Sequence, residues 1–274
     1  MMRKNALSVT VSTAVMGVFG AFLRWLQNRM IFEPDTGLAT PGAPISIVCL
    51  VYAALAAAAM LAIVLFWLRP FRAADSPAAV VRARTVLPML LGWVLFVGFS
   101  CAGLWLMFTS AEASMPRLRR IFGACAVLAG ACFPFLTTRT EDALHPLGKL
   151  SVSYLSLFYC FWLVYSYVTN AQNPVLWDYA PEIVALAGVT MSFYYVAGWY
   201  FRAGHLRRSL FFTQLGAFFC ICILPDARSR SALVLLAGTV AVLLLLEYVL
   251  IENLLEAPRE DAEGTGAAGA NANK

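Results

Sequence analysis

Apolar and polar positions alternate along this chain in long blocks. Eight apolar runs, at residues 6–27, 45–68, 87–109, 121–138, 150–169, 182–201, 209–224 and 231–251, are separated by connectors rich in Pro, Gly and Arg. About 20 predominantly apolar residues suffice for a helix to cross a bilayer. In lipid, every backbone N–H and C=O must be satisfied within the segment, which makes helices the expected state of such runs. The pattern therefore predicts an all-α fold, a polytopic transmembrane bundle of about eight spanning helices. The fourth and seventh runs are short. The seventh, "SLFFTQLGAFFCICIL", has to tilt little or sit where the bilayer is thin. The first run follows "MMRKN", as in a signal peptide. Its roughly 18 apolar residues are long for a cleavable leader, and seven more runs follow, so a retained first helix is expected.

The connectors refine the layout. In "RWLQNRMIFEPDTGLATPGAPIS" (24–46), Arg24 to Asn28 read as the last turns of the first helix. "FEPDTGLATPGAP" then reads as a connector whose Pro44 starts the second helix. In "ADSPAAVVRARTVLP", Ser76 suits a helix cap and Pro77 a first helical position. A short interfacial helix is expected there, leading into a third span bent at Pro88. Residues 1–251 form one transmembrane domain on this reading. The tail 252–274, "ENLLEAPREDAEGTGAAGANANK", is acidic and then rich in Gly, Ala and Asn, and is expected to be disordered and cytoplasmic. Residues 1–138 and 150–251 also compare as halves of four runs each. Both have a long connector between their first two runs, an Arg-rich one after that, and a similar last opening, "RRIFGACAVLAG" against "RSRSALVLLAG". Duplicated units of four helices would repeat in parallel about an axis along the membrane normal.

Composition supports the membrane reading: 61% of the 274 residues are hydrophobic and 13% charged, with a mean hydropathy of +0.75. A soluble domain carries about 25% charged residues, and no polar stretch here is long enough to form one. The bilayer is thus the principal partner of the surface. The net charge of +5 is no nucleic-acid footprint, because the bases cluster at the ends of apolar runs. With the N-terminus inside, thirteen Lys and Arg fall on the cytoplasmic side and seven outside, which predicts both termini in the cytoplasm. The "MPRLRR" connector at 115–120 is the discordant piece. If the third and fourth runs do not both span, everything after them inverts. The seven cysteines all lie in apolar runs without metal-ligand spacing, and His145 and His205 stand apart in basic connectors, so neither a metal nor a cofactor is expected.

Three groups of residues are candidates for more than packing. The first run places Thr13, Gly17, Gly20, Ala21, Arg24, Gln27 and Asn28 on one helical face, a surface for close approach of a neighbour, with the Ala-dense second run as one partner. Gly123, Ala126 and Gly130 offer the same in the fourth run. On the outer side, Arg24 can meet Glu33, Asp35, Asp178 or Glu182, either pinning the first connector or flooring a vestibule. Within the membrane, Ser156, Tyr159, Tyr195 and Gln214 can line a pocket for a neutral or aromatic ligand, or bond to one another between helices. No Asp, Glu, Lys, Arg or His falls near the centre of a run, where charge usually marks an ion path. Glu247 is the nearest approach; it reads as an interfacial carboxylate or a partner for Arg208. Motifs of metalloproteases, serine hydrolases, dinucleotide-binding enzymes and phosphate-binding loops are absent from the sequence.

The segments "NPVLWDYAPEIVALAGVTMSFYYVAGWYFRAGHLRRSLFFTQLGAFFCI" and "GAFLRWLQNRMIFEPDTGL" resemble a group of multi-span membrane proteins of anaerobic Gram-positive bacteria. That resemblance implies a plasma-membrane location and carries no activity or functional residues. Two readings lead, with an intramembrane enzyme a distant third. One is a non-enzymatic membrane protein that binds a partner, another membrane protein or a second copy of itself, as a sensor or accessory subunit. The other is a small transporter or channel for a neutral or amphipathic solute.

Overall fold

A computed structural model describes residues 2–31, 43–69, 71–72, 77–83, 86–109, 115–136, 146–171, 175–226 and 228–256. Eight long helices run through it: α1 (Met2–Met30), α2 (Pro44–Ala62), α4 (Leu87–Phe108), α5 (Pro116–Leu136), α6 (Pro146–Asn170), α7 (Leu176–Tyr200), α8 (Leu206–Cys222) and α9 (Arg230–Glu252). A four-residue helix, α3 (Pro77–Val80), lies between α2 and α4, and a π-helical turn, Ile63–Trp67, closes α2. Seven of the long helices have the length and apolarity to cross a membrane; α8, with 17 residues, is the one that falls short. At 1.5 Å per residue it is about 25 Å long. Large apolar side chains on the outside, such as Phe66 at 72% and Phe108 at 82% exposure, suit a lipid-facing surface.

Proline sets several of the helix starts. Pro44, Pro116 and Pro146 each open a helix, where the missing N–H costs nothing and φ is already helical. The "MPRLRR" stretch is therefore mostly the first turn of α5. Pro88 lies in the first turn of α4 and so does not bend a helix already under way. The short helix after Pro77 is present, and its end is buried at Val80, Val81 and Ala83; Ser76, its expected cap, lies outside the described residues.

Glycine decides which helices touch closely. A Cβ on Gly123 would stand 2.6 Å from the Gly103 carbonyl oxygen, and one on Gly103 2.5 Å from that of Gly123. Helices α4 and α5 therefore meet backbone to backbone. On α1, Cβ atoms at Gly17 and Gly20 would run into Ile221 at 2.8 Å and Cys222 at 2.3 Å. The small-residue face of α1 thus packs on α8, and α2 is its lesser neighbour. Gly188 of α7 and Gly216 of α8 form a third close approach.

α8 sits in the middle, packed against α1, α7 and α9, while α6 joins α5 to α7 and α4 reaches α9. Over its most apolar stretch α9 is 61% buried and α2 only 17%, which puts α2 at the rim. α2 touches α1 and α8, whereas α7, in the same place of the second half, packs along α8. The main core runs from Phe99, Phe122 and Phe133 through Phe158, Tyr159 and Phe193 to Leu243 and Leu246.

The end of the chain departs from expectation at its boundary. Residues 252–256 are folded: Asn253 Nδ2 donates to the carbonyls of Val80 (3.0 Å) and Arg82 (2.8 Å), and Leu254 is buried. Leu255–Glu256 then pairs antiparallel with Phe71–Arg72. These contacts recruit the first residues of the tail to the edge of α3. Residues 257–274 lie outside the described residues.

Candidate functional site

Two polar centres connect the helices. The first lies where α1 ends and α7 begins. Arg24 Nε donates to Asp226 Oδ1 at 2.9 Å, and Asn28 Nδ2 donates to the same oxygen at 2.8 Å. Arg228 donates to Asp226 Oδ2 at 3.3 Å and also pairs with Glu182. Arg24 NH1 further donates to Gln27 Oε1 at 3.0 Å, and Gln27 Nε2 to Ser46 Oγ at 3.4 Å. The chain Arg24–Asp226–Arg228–Glu182 alternates in sign and sums to zero. It joins α1, the α8–α9 turn and α7, with α2 attached through Ser46.

Asp226 joins the acids expected near Arg24: among the described residues Arg24 pairs with Asp226, and Glu182 with Arg228. Asp178 is exposed in the first turn of α7, and Glu33 and Asp35 lie outside the described residues. Asp226 went unnoticed in "LPDARSR" because it sits in a short connector with neither helical phase nor motif. The available signal was that this acid, like Arg24, falls at the end of an apolar run.

The second centre lies inside the bundle. Glu247 of α9 is fully buried. Its Oε1 accepts from Thr13 Oγ1 of α1 at 2.9 Å and from Gln214 Nε2 of α8 at 3.1 Å. Neither expected reading of Glu247 holds: it is not interfacial, and its partner is not Arg208. Arg208 is exposed, with its guanidinium 6.0 Å from the ring centre of Tyr195. Along α9, Glu247 is five residues from the end, but across the bundle it is level with the midpoint of α8. The short length of α8 brings a carboxylate to mid-helix depth that its place in α9 conceals.

The expected intramembrane lining separates into three places. Tyr159 is fully buried and its hydroxyl is 2.9 Å from Thr239 Oγ1 on α9, while its ring stacks on Phe193. Gln214 is bound to Glu247. Ser156 and Tyr195 do share a half-open groove of about 540 Å³ with Ser153, Tyr194, His205 and Arg208, at the outside of α6 and α7. Other interior hydroxyls are paired too: Ser192 with Thr213 at 2.8 Å, and Ser209 with Trp199 Nε1 at 3.0 Å. A different cavity, about 480 Å³ and almost wholly apolar, opens between α1, α2, α7 and α8, lined by Leu23, Cys49, Tyr52, Ala53, Ala57, Val184 and Phe219. Among the described residues, no group of His, Cys, Asp and Glu is arranged to hold a metal ion.

The contacts also order the helix ends. Arg24, Ser46, Glu182 and Asp226 lie at one face of the bundle. Tyr200, which donates to the Leu136 carbonyl, and Asn253, which bonds to Val80 and Arg82, lie at the other. Successive long helices therefore alternate in direction, and the 17-residue α8 runs from one face to the other with the rest. What the fold and these centres define is an integral membrane helical bundle whose helices are joined by interior polar bonds. Comparison with protein-family models, with curated proteins and with solved structures finds no match.

Proposed function

We propose that this protein is a non-enzymatic membrane protein that binds a partner within the bilayer, as a sensor or accessory subunit, and passes no solute through its centre. The observation that carries this reading is the fate of the interior polar groups. Tyr159, Ser192, Thr213 and Gln214 bond to neighbouring helices, and none of them borders either of the two cavities described above. A transport path needs polar groups that face a shared space; here they close helix against helix. The apolar cavity beside the sparsely packed α2 is where a hydrophobic partner fits best. The excess of Lys and Arg on one side supports both ends lying in the cytoplasm.

The test is reconstitution into liposomes with a panel of neutral and amphipathic solutes. Flux no greater than in empty liposomes is expected. Saturable flux that changes on substitution of Tyr159 or Gln214 would establish the transporter reading instead. In parallel, a photo-crosslinker at Ala57 is expected to trap a membrane component that one at Phe108 does not.

A further inference from the structure

Glu247, Gln214 and Thr13 form a three-helix cluster whose hydrogen bonding is incomplete in one particular way. Both donors converge on Glu247 Oε1. Glu247 Oε2 and Gln214 Oε1 are buried and meet no donor among the described residues. Two acceptors remain, and a donor is what they lack.

Nothing charged among the described residues compensates the carboxylate. Its partners from α1 and α8 are neutral, and no ion pair includes it. On α1, Arg24 is eleven residues from Thr13, about 16 Å along the helix, and is bonded to Asp226; Lys4 is nine residues the other way. On α8, Arg208 is six residues from Gln214, about 9 Å, and exposed; Cys220 is six residues beyond it. On α9, Tyr248 donates to Glu252 at 3.2 Å. α4 and α6 also touch α9: α4 holds Cys101 as its one titratable group, and α6 brings Tyr159, whose hydroxyl bonds to Thr239, eight residues from Glu247. A bare carboxylate so placed is an unpaired charge out of reach of water, which is strongly disfavoured.

Two occupants neutralise a carboxylate, a metal cation or a proton. A hard cation takes about six or more oxygens. The cluster has the oxygens of three side chains, one already engaged twice, and none of the three residues lines either of the two cavities described above. A proton needs one oxygen and no space, and it supplies the missing donor. We propose that Glu247 is a proton-binding site. The proton adds to Oε2, forming an O–H bond that turns an acceptor-only oxygen into a donor. On release, the proton returns to water at the face where α9 ends, about 8 Å along the helix. The charge left behind opposes the packing of α1 and α8 on α9.

The test is infrared spectroscopy of the full-length protein in lipid nanodiscs across a pH series. At neutral pH the wild type is expected to show a protonated-carboxyl C=O band. Glu247→Gln is expected to lose it and Glu252→Gln to keep it, and raising the pH is expected to replace it with carboxylate bands. Gln214→Met should shift the band by removing a hydrogen bond to the group; this assigns it even if Glu247→Gln does not fold. A wild type without the band at neutral pH, or a band that neither Glu247→Gln nor Gln214→Met alters, overturns the proposal.

Discussion

The chain of charges at Arg24, Asp226, Arg228 and Glu182 makes a definite energetic claim at the level of single residues. Arg24 and Asp226 side chains are only 7% and 8% exposed. Removing either weakens a shared network without emptying it: Asp226 keeps Arg228 and Asn28, and Arg24 keeps Gln27, so each loss should stay below the about 3–5 kcal/mol of a buried pair broken outright. Arg24→Ala and Asp226→Ala are each expected to lower the thermal midpoint in detergent. The double variant should be less destabilised than the two losses added together; strict additivity would show that the two do not interact. The sequence reading expected a carboxylate near Arg24 at its helix end. It did not name Asp226, since that residue's place depends on where the long intervening chain brings the α8–α9 turn. Glu247 shows the same limit: its depth depends on the length of α8, a different helix.

At the scale of elements, glycine positions make opposite predictions on one helix pair. Gly123→Ala drives a Cβ to within 2.6 Å of a carbonyl oxygen, and overpacking of this kind costs about 1–3 kcal/mol. Gly98→Ala, whose nearest neighbour would be Val234 at 3.8 Å, is expected to be neutral or to gain up to about 1 kcal/mol from helix propensity. Thermal unfolding of the two variants checks both signs. Asn253→Ala tests the docking of the chain end; it leaves the Val80 and Arg82 carbonyls short of a donor and should cost roughly 1–3 kcal/mol. Helix locations were legible because apolar runs and Pro starts are local; α4 spans Leu87–Phe108 where the pattern gave 87–109. Helix partners were not. The face of α1 was evident from its spacing, but the Ala-rich α2 was no better a match for Gly17 and Gly20 than Ile221 and Cys222 of α8 proved to be.

For the whole molecule, two claims matter: the helices alternate between two faces, and the polar interior is sealed. The first predicts that single cysteines in place of Asp178 and Arg202, in a background without the seven native ones, react with an impermeant thiol reagent from opposite sides of the membrane. Labelling from one side only would break the alternation through α7. The second claim is the central one, because it separates a partner-binding bundle from a conduit. The sequence offered Ser156, Tyr159, Tyr195 and Gln214 as one lining, since helical phase alone does not say whether a polar face meets a cavity or another polar face. Near-isosteric replacements that leave the packing in place decide it: Thr213→Cys, Ser192→Cys and Thr239→Cys, all at positions with no exposed surface. The account predicts that none of the three reacts with a small water-soluble thiol reagent applied to either side of the native membrane, while Asp178→Cys and Arg202→Cys react readily. Modification of Thr213→Cys or Thr239→Cys at a rate comparable to those two controls would mean that water reaches the centre of the bundle, and would contradict it.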